Sequence, residues 1–260
     1  MKNKNTNINK IANKLVSAFL KNKLIKPIPS NYTLKMSQAN KLRRLCESKV
    51  REPVIGYKAG GTAIPLLKKL NEKEPFYASI YKKNLLKNKK SVKINKYTLG
   101  IELEVCFIIK KNFFDIKTSV TKRNILKYIS YIAPCIEIVG YRQRKKGIKS
   151  LGDLWSDFGA NMKFVIGPKI RFNKFNVKNL KTNISNIKIN QIVHGNTNTV
   201  YVDPINSLRF ILSKLKKDKI KLDKNFFVFT GSTIGVAPIL GKGFYTGKIE
   251  KLGAVKVKII

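Results

Sequence analysis

Apolar and polar residues follow two different periods along this chain, and the period changes near residue 53. Before that point, apolar residues recur three or four positions apart. They form one stripe opposite lysines and asparagines: Ile8, Ile11, Ala12, Leu15, Val16, Phe19 and Leu20. This pattern predicts an amphipathic helix that ends before Pro27-Ile28-Pro29. A second helix is predicted from Ser37, as its N-cap, to about Val50, because Pro53 follows.

From residue 54 onward, short β-type runs are separated by Gly, Pro and Asn. The predicted strands are 54–58, 97–110, 134–141, 162–166, 188–194, 225–229 and 254–260. Two helical patterns interrupt them, one over 121–132 and one after Asp203-Pro204, where Asp caps free amides and proline fits the first turn. The sequence therefore predicts an α+β protein, with a helical N-terminal portion over 1–53 and a β-rich domain over 54–260.

The charge balance is the unusual feature of the composition. The 260 residues include 54 Lys and Arg against 14 Asp and Glu, a formal net charge of +40, whereas the hydrophobic fraction of 43% is ordinary. One interpretation is binding to RNA, DNA or an anionic membrane surface. The other is a compositional bias toward Lys, Asn and Ile that places lysines on solvated surfaces. The even spread of lysine favours the second, so no specific nucleic-acid partner is predicted.

The cysteines and the apolar runs indicate in which cellular compartment the protein is expected. Cys46, Cys106 and Cys135 are odd in number and far apart, so they predict neither a disulfide framework nor a zinc site. No apolar stretch approaches the roughly 18 residues of a membrane span. The lysine-rich N-terminus also lacks an apolar core followed by a cleavage site. We expect a cytoplasmic protein without a membrane partner.

Carboxylates occur inside apolar runs of this acid-poor chain. In Ile101-Glu102-Leu103-Glu104-Val105, a strand period of two places both glutamates on one face, about 7 Å apart along the backbone. Buried carboxylates at this spacing repel each other unless a cation lies between them. Glu137 lies in a second apolar run, and three carboxylates without His or Cys suit Mg²⁺ or Mn²⁺. Alternatively, Glu102 and Glu104 face solvent and pair with lysines.

Seven segments follow the order and approximate spacing of one enzyme family. They are Gly56-Tyr-Lys-Ala-Gly-Gly-Thr62, Gly100-Ile-Glu-Leu-Glu-Val105, Ala133-Pro-Cys-Ile-Glu-Ile-Val-Gly-Tyr-Arg142, Phe164-Val-Ile-Gly167, Asp203-Pro-Ile-Asn-Ser-Leu208, Phe229-Thr-Gly-Ser232 and Leu252-Gly-Ala-Val-Lys-Val257. No single segment is specific. Together, across nearly the whole chain, they resemble the 2-keto-4-pentenoate hydratase family, which includes the 4-oxalocrotonate decarboxylases and is related to the fumarylacetoacetate hydrolases.

The resemblance implies a mixed β-roll domain of the fumarylacetoacetase C-terminal type in a homo-oligomer. The implied site residues are the metal ligands Glu102, Glu104 and Glu137 for Mg²⁺ or Mn²⁺, the catalytic residues Lys58 and Asp157, and the substrate-binding residues Thr230 and Ser232. The implied partner is a small-molecule 2-oxo acid. The implied activity is a metal-dependent hydratase that adds water to a 2-hydroxy-2,4-dienoate and gives a 4-hydroxy-2-oxo acid.

The chain departs from the family pattern at three positions. Phe158 replaces an expected Asn, Lys242 stands where a Gly-Asp turn is usual, and Phe76 stands where hydratases have an acidic residue, with Glu74 two residues away. A 4-oxalocrotonate-type decarboxylase does not need that acid and stays an alternative. The others are a fumarylacetoacetate-type hydrolase, with His194 as its candidate base, and a non-catalytic basic scaffold that binds RNA or acidic partners.

Overall fold

A computed structural model describes residues 2–173 and 176–260, with side chains described from residue 7 onward. The helices are α1 (Lys2–Lys21), α2 (Met36–Ser48), α3 (Ile64–Lys69), α4 (Lys122–Ile125), α5 (Leu151–Ser156) and α6 (Pro204–Lys217). The strands are β1 (Val54–Gly60), β2 (Phe76–Tyr81), β3 (Leu85–Leu86), β4 (Ser91–Val92), β5 (Thr98–Ile109), β6 (Ile129–Gly140), β7 (Asn161–Ile166), β8 (Ile170–Arg171), β9 (Lys181–Asn186), β10 (Gln191–Asn196), β11 (Phe226–Ser232), β12 (Gly243–Ile249) and β13 (Gly253–Ile259).

These strands form two mixed sheets. The larger has the order β2-β1-β11-β5-β6-β7-β3, with β8 also paired to β6. Most of its neighbours are antiparallel, but β1 runs parallel to β11 and β3 parallel to β7. The smaller has the order β10-β9-β12-β13-β4. The predicted combination of helices with mixed sheets is confirmed.

The main core lies between the two sheets and α6. Strand β5 contributes its alternate apolar residues, such as Leu103 and Val105, and β13 contributes Val255 and Val257. Helix α6 adds Leu208 and its neighbours on one face. Because the period of β5 is two, its other face, which carries the glutamates, points away from this core.

The N-terminal helices pack at the β2 edge of the larger sheet. Helix α1 carries the predicted apolar stripe, except that Leu20 is exposed, and the stripe packs against Leu42 and Cys46 of α2 and against Tyr81 and Phe158. Helix α2 begins at Met36 with no side-chain cap, so the predicted Ser37 cap is wrong. None of the described helices is both long and apolar enough to span a membrane. All three cysteines are buried and free.

Two predicted elements are corrected by strand pairing. The helix predicted over 121–132 is limited to α4 and one 3₁₀ turn, because β6 already begins at Ile129, which pairs with Ile109 of β5. The strand predicted over 188–194 begins later, at Gln191, because Asn190 has a left-handed φ of 50° that ends a 3₁₀ turn. The predicted Asp203 cap is confirmed by its hydrogen bond from the Asn206 N–H at 2.7 Å.

Candidate active site

The register between β5 and β6 brings the three glutamates together. Glu102 lies directly opposite Glu137, and Glu104 lies opposite Cys135 on the same face. Carboxylate oxygens of all three glutamates lie within 4.8 Å of one another. Glu104 and Glu137 are fully buried and Glu102 is half-buried, so the alternative of two solvent-facing carboxylates is wrong.

A distortion in β11 supplies a hydrogen bond to this cluster. The ladder between β11 and β5 shifts register between Phe229 and Ser232, and Gly231 has a φ of +108°, which favours glycine. The Gly231 N–H thereby donates to Glu104 Oε2 at 2.8 Å. The other oxygen of Glu104 is also buried and has no hydrogen-bond partner among the described residues. An oxygen in that state, beside two more carboxylates, fits a hard cation.

Lys58 pairs with the cluster from β1. Its side chain is buried, and its Nζ lies 2.8 Å from Glu137 Oε1 and 3.0 Å from Glu137 Oε2. The pairing of β1 with β11 on one side and with the edge strand β2 on the other fixes the backbone of this lysine within the sheet. This single positive charge offsets one of three carboxylates, which leaves the cluster with excess negative charge.

Burial is the main influence on proton binding at the cluster. Burial raises the pKa of Glu137 to about 8, against the attraction of Lys58. Burial and repulsion from the other two carboxylates raise the pKa of Glu104 well above its ordinary value. Burial alone would lower the pKa of Lys58, but attraction to the carboxylates outweighs it and leaves that pKa raised. Three ionised carboxylates therefore need a further positive charge.

A cavity of about 430 Å³ opens above Lys58 and Glu102. Most of its lining is apolar or glycine: Ala59, Gly60, Gly61, Ala63, Leu66, Phe76, Leu99, Val139, Ile148, Leu154, Gly159, Ala160, Gly195, Gly231, Ile234, Gly235 and Val236. Its polar lining residues are Lys58, Thr62, Glu102, His194, Thr199, Ser232 and Thr233. The cavity thus joins a charged floor to an apolar wall.

Of the predicted substrate-binding and catalytic residues, Lys58 and Ser232 line the cavity, whereas Thr230 and Asp157 do not. Ser232 lines the cavity, and its hydroxyl donates to the Gly235 carbonyl at 2.7 Å. Thr230 does not line it. Its buried hydroxyl donates to the Val105 carbonyl at 2.9 Å and so holds β11 to β5. Asp157 is also buried away from the cavity, so the structure does not place it where a substrate binds.

Asp157 instead fixes a turn that reaches the cavity. It accepts hydrogen bonds from the backbone N–H of Arg142 at 2.7 Å and from its guanidinium at 2.9 Å. The next three residues, Phe158, Gly159 and Ala160, all have left-handed φ values of 54°, 68° and 63°. Gly159 and Ala160 line the cavity. The sequence signal for this turn was Asp157-Phe-Gly, and it was missed because Phe rarely adopts such a φ.

Phe76 and Phe158 are two of the residues at which the chain departs from the family pattern. Phe158 lies in the turn just described, and Phe76 lines the cavity. Phe76 is buried in the cavity wall, where it packs against Gly60 and stacks on Trp155 with ring centroids 6.1 Å apart. Glu74, the nearest acid in the chain, is exposed and pairs with Lys214, so it does not line the cavity. Leu66 and Ile148 were missed as lining residues, because isolated exposed apolar residues carry no periodic signal.

Comparisons with known proteins agree with this fold. No protein-family model and no curated protein matches the sequence. The structure is similar to 4-oxalocrotonate decarboxylase from Pseudomonas putida G7, complexed with magnesium and adipate, at a TM-score of 0.84 and 17% identity over 98% of each chain. The same enzyme complexed with calcium and acetate gives 0.84 and 16% over the same shares.

A more distant likeness is to fumarylpyruvate hydrolase from Pseudomonas aeruginosa in complex with Mn²⁺ and pyruvate. Its TM-score is 0.60 at 13% identity, over 82% of this chain and 92% of that chain. The chain therefore has the fold of 4-oxalocrotonate decarboxylase over nearly its whole length, which confirms at the level of fold the resemblance drawn from the motifs.

Proposed function

We propose that this chain is a metal-dependent lyase that releases CO₂ from a 2-oxoalk-3-enedioate. The observation that carries the proposal is the cluster of three carboxylates within 4.8 Å at the floor of an apolar cavity. Glu102, Glu104 and Glu137 offer only carboxylate oxygens, which suits Mg²⁺ or Mn²⁺. The unpartnered oxygen of Glu104 and the excess negative charge fit such an ion.

The bound cation would act as a Lewis acid toward the carboxylate and keto oxygens of a 2-oxo acid. Lys58 orients Glu137 through two short contacts. An ammonium has three N–H donors, so Lys58 keeps one for the substrate carboxylate, since it also lines the cavity. Ser232 is the proposed second contact to that carboxylate, for which its one hydroxyl hydrogen would turn from the Gly235 carbonyl to the substrate. Thr230 and Asp157 are proposed to position the strand and turn that line the cavity.

Decarboxylation fits this cavity better than hydration. Addition of water needs a base beside the substrate double bond, and Phe76 stands where hydratases have an acid. Glu102 is the one carboxylate among the described lining residues, and it belongs to the proposed metal site. Release of CO₂ needs no such base. The hydratase stays a second candidate, because His194 lines the same cavity and offers an imidazole to a water molecule.

The direct test is CO₂ release from 2-oxohex-3-enedioate by the purified protein. Release that depends on Mg²⁺ or Mn²⁺, with ultraviolet absorbance of the dienol product, is expected, and EDTA and Glu104→Gln should abolish it. Loss of 2-hydroxypenta-2,4-dienoate without CO₂ release from the diacid would instead establish the hydratase. A homo-oligomer stays a prediction that sedimentation of the same sample would check.

The proposal would be wrong if the protein turned over neither acid and calorimetry detected no binding of Mg²⁺ or Mn²⁺. The non-catalytic basic scaffold would then be the better interpretation. Because calorimetry reports metal binding without turnover, it separates an empty site from an intact metal site that acts on a different acid.

A further inference from the structure

The cavity has a lysine and a carboxylate at its floor, and most of the rest of its lining is uncharged. Lys58, Glu102 and His194 are the ionisable side chains among the described lining residues, and Lys58 is already paired with Glu137. Besides His194 and the hydroxyl-bearing residues Thr62, Thr199, Ser232 and Thr233, the lining includes eight larger apolar side chains, which we call the apolar wall: Leu66, Phe76, Leu99, Val139, Ile148, Leu154, Ile234 and Val236. Lys145 and Lys149 flank Ile148 in the chain but do not line the cavity.

We infer that this apolar wall receives the end of the substrate remote from the keto acid group without a lysine or arginine as counter-ion, so that it binds a terminal carboxylate poorly and favours its departure as CO₂. The inference rests on the proposed function, because it takes the keto acid group to lie at Glu102 and Lys58. Under this inference, Phe76, Ile148 and the neighbouring apolar side chains stabilise the transition state more than they stabilise the bound substrate.

The reaction step removes the charge that the wall cannot stabilise. The bond between the terminal carboxylate carbon and the adjacent CH₂ breaks, and that carbon leaves as neutral CO₂. The electron pair of the broken bond moves through the conjugated C=C to the keto oxygen, at the charged floor, and a proton from solvent gives the 2-hydroxydienoate. An unpaired carboxylate against apolar side chains costs free energy before the step and none after it.

The only tryptophan of the chain reports on this wall. Trp155 stacks on Phe76, with ring centroids 6.1 Å apart and planes at 25°, and its indole N–H donates to the Tyr77 carbonyl at 2.6 Å. A ligand that contacts Phe76 therefore changes the surroundings of a single fluorophore. Binding is then measurable with inert ligands, without turnover.

The experiment compares two inert ligands of equal chain length in the presence of Mg²⁺. 2-Oxohexanoate ends in a methyl group, and 2-oxoadipate ends in a carboxylate that is not conjugated to the keto group. We expect 2-oxohexanoate to bind at least about tenfold more tightly, because its end needs no counter-ion. The net charge of +40 attracts the dianion at long range, so titrations at low and at about 0.5 M salt separate that attraction from contacts in the cavity.

A substitution at the mouth of the cavity should reverse this order. Ile148 is 46% exposed, so a longer polar side chain is tolerated there. Ile148→Lys supplies a cation and is expected to tighten 2-oxoadipate by about tenfold. It should also lower KM and kcat together for 2-oxohex-3-enedioate, because the ground state gains the ion pair and the departing CO₂ does not. Ile148→Gln is the matched uncharged control, and it should keep the wild-type order.

The outcomes are distinct. Tighter binding of 2-oxohexanoate by the wild-type protein, reversed by Ile148→Lys, supports the inference. Equal or tighter binding of 2-oxoadipate by the wild-type protein at both salt concentrations overturns it and leaves the proposed function standing. No fluorescence or calorimetric response to either ligand, with Mg²⁺ bound, overturns the proposed function and the inference with it.

Discussion

Glu104 is the residue whose burial most requires a cation. It is fully buried, one of its oxygens lacks a partner among the described residues, and two more carboxylates lie within 4.8 Å. Glu104→Gln keeps the shape and can still accept from the Gly231 N–H. We expect the metal-free variant to be more stable than the metal-free wild type by roughly 1–3 kcal/mol, because it removes one of three repelling charges.

Magnesium should raise the stability of the wild type but not that of Glu104→Gln. It stabilises the wild type, since it binds the native state alone, and leaves Glu104→Gln nearly unchanged. Thermal unfolding in EDTA and in Mg²⁺ measures both effects, with the exposed Glu250→Gln as control. A variant less stable than the wild type in EDTA would show that the buried carboxylates do not destabilise the metal-free fold.

At the scale of elements, α1 supports a turn of the cavity. Phe19 of α1 stacks on Phe158 with ring centroids 4.1 Å apart, and Phe158 is held in a left-handed conformation that Phe disfavours. We expect Phe19→Ala to lower the free energy of unfolding by about 3–5 kcal/mol. It should also weaken 2-oxohexanoate binding, because Gly159 and Ala160 of the same turn line the cavity.

Leu20 provides the control for this prediction. It lies next to Phe19 on α1 and is 44% exposed, so Leu20→Ala should cost less than about 0.5 kcal/mol. Urea unfolding and Trp155 fluorescence titration measure the two effects of Phe19→Ala. If Phe19→Ala loses stability but keeps ligand affinity, α1 stabilises the fold without positioning the turn.

Asp153 fastens α5 to the preceding loop and gives stability a dependence on pH. It accepts from the Lys149 N–H at 2.7 Å and pairs with Lys146 at 2.9 Å. Burial alone would raise its pKa, but the hydrogen bonds from Thr33, Lys146 and Lys149 outweigh burial and hold that pKa below its ordinary value. A lowered pKa contributes stability above the unfolded-state pKa of about 3.9, and that stability is lost as pH falls through the folded-state pKa.

The matched variant is Asp153→Asn, which cannot ionise. The wild type should be more stable than this variant by a constant amount between about pH 5 and 8, and the difference should shrink below about pH 4. Urea unfolding at a series of pH values measures that difference. An equal difference at pH 3 and at pH 7 would show that the charge of Asp153 does not stabilise the loop.

Elements with a regular apolar period or a clear start signal could be predicted from the sequence, although β9 and β12 were missed despite their alternating burial. Strand β5 was predicted because its apolar residues alternate with Glu102 and Glu104, and α6 because Asp203 marks its start. Strand β2 was not predicted, since all six of its residues are buried and a strand covered on both faces shows no alternation. The start of β6 was set by pairing with β5, which no local pattern records.

The candidate site shows the same limit. The three glutamates could be predicted, because acidic residues in apolar strands of an acid-poor chain are conspicuous. The places of Asp157 and Thr230 could not, because matching a family position does not say which way a side chain points. Their buried partners, Arg142 and the Val105 carbonyl, lie far along the chain or on another strand.

At the scale of the whole molecule, acids and bases are separated between interior and surface. Of the 14 Asp and Glu in the chain, several lie in the interior: Glu104, Glu137, Asp153 and Asp157 are fully buried. The solvated surface is therefore even more basic than the net charge of +40 indicates. Lysine is a point charge without the planar fork of arginine, so such a surface attracts polyanions without reading their structure.

This separation predicts salt-dependent, unselective polyanion binding. At low salt the protein should bind single-stranded RNA, DNA and heparin with similar affinity, and the logarithm of each association constant should fall linearly with the logarithm of salt concentration. At physiological salt the dissociation constants should be micromolar or weaker. Fluorescence anisotropy measures all three. Strong preference for one nucleic acid that persists at physiological salt would contradict a merely solvated lysine surface, because it would require base or shape contacts that point charges do not provide.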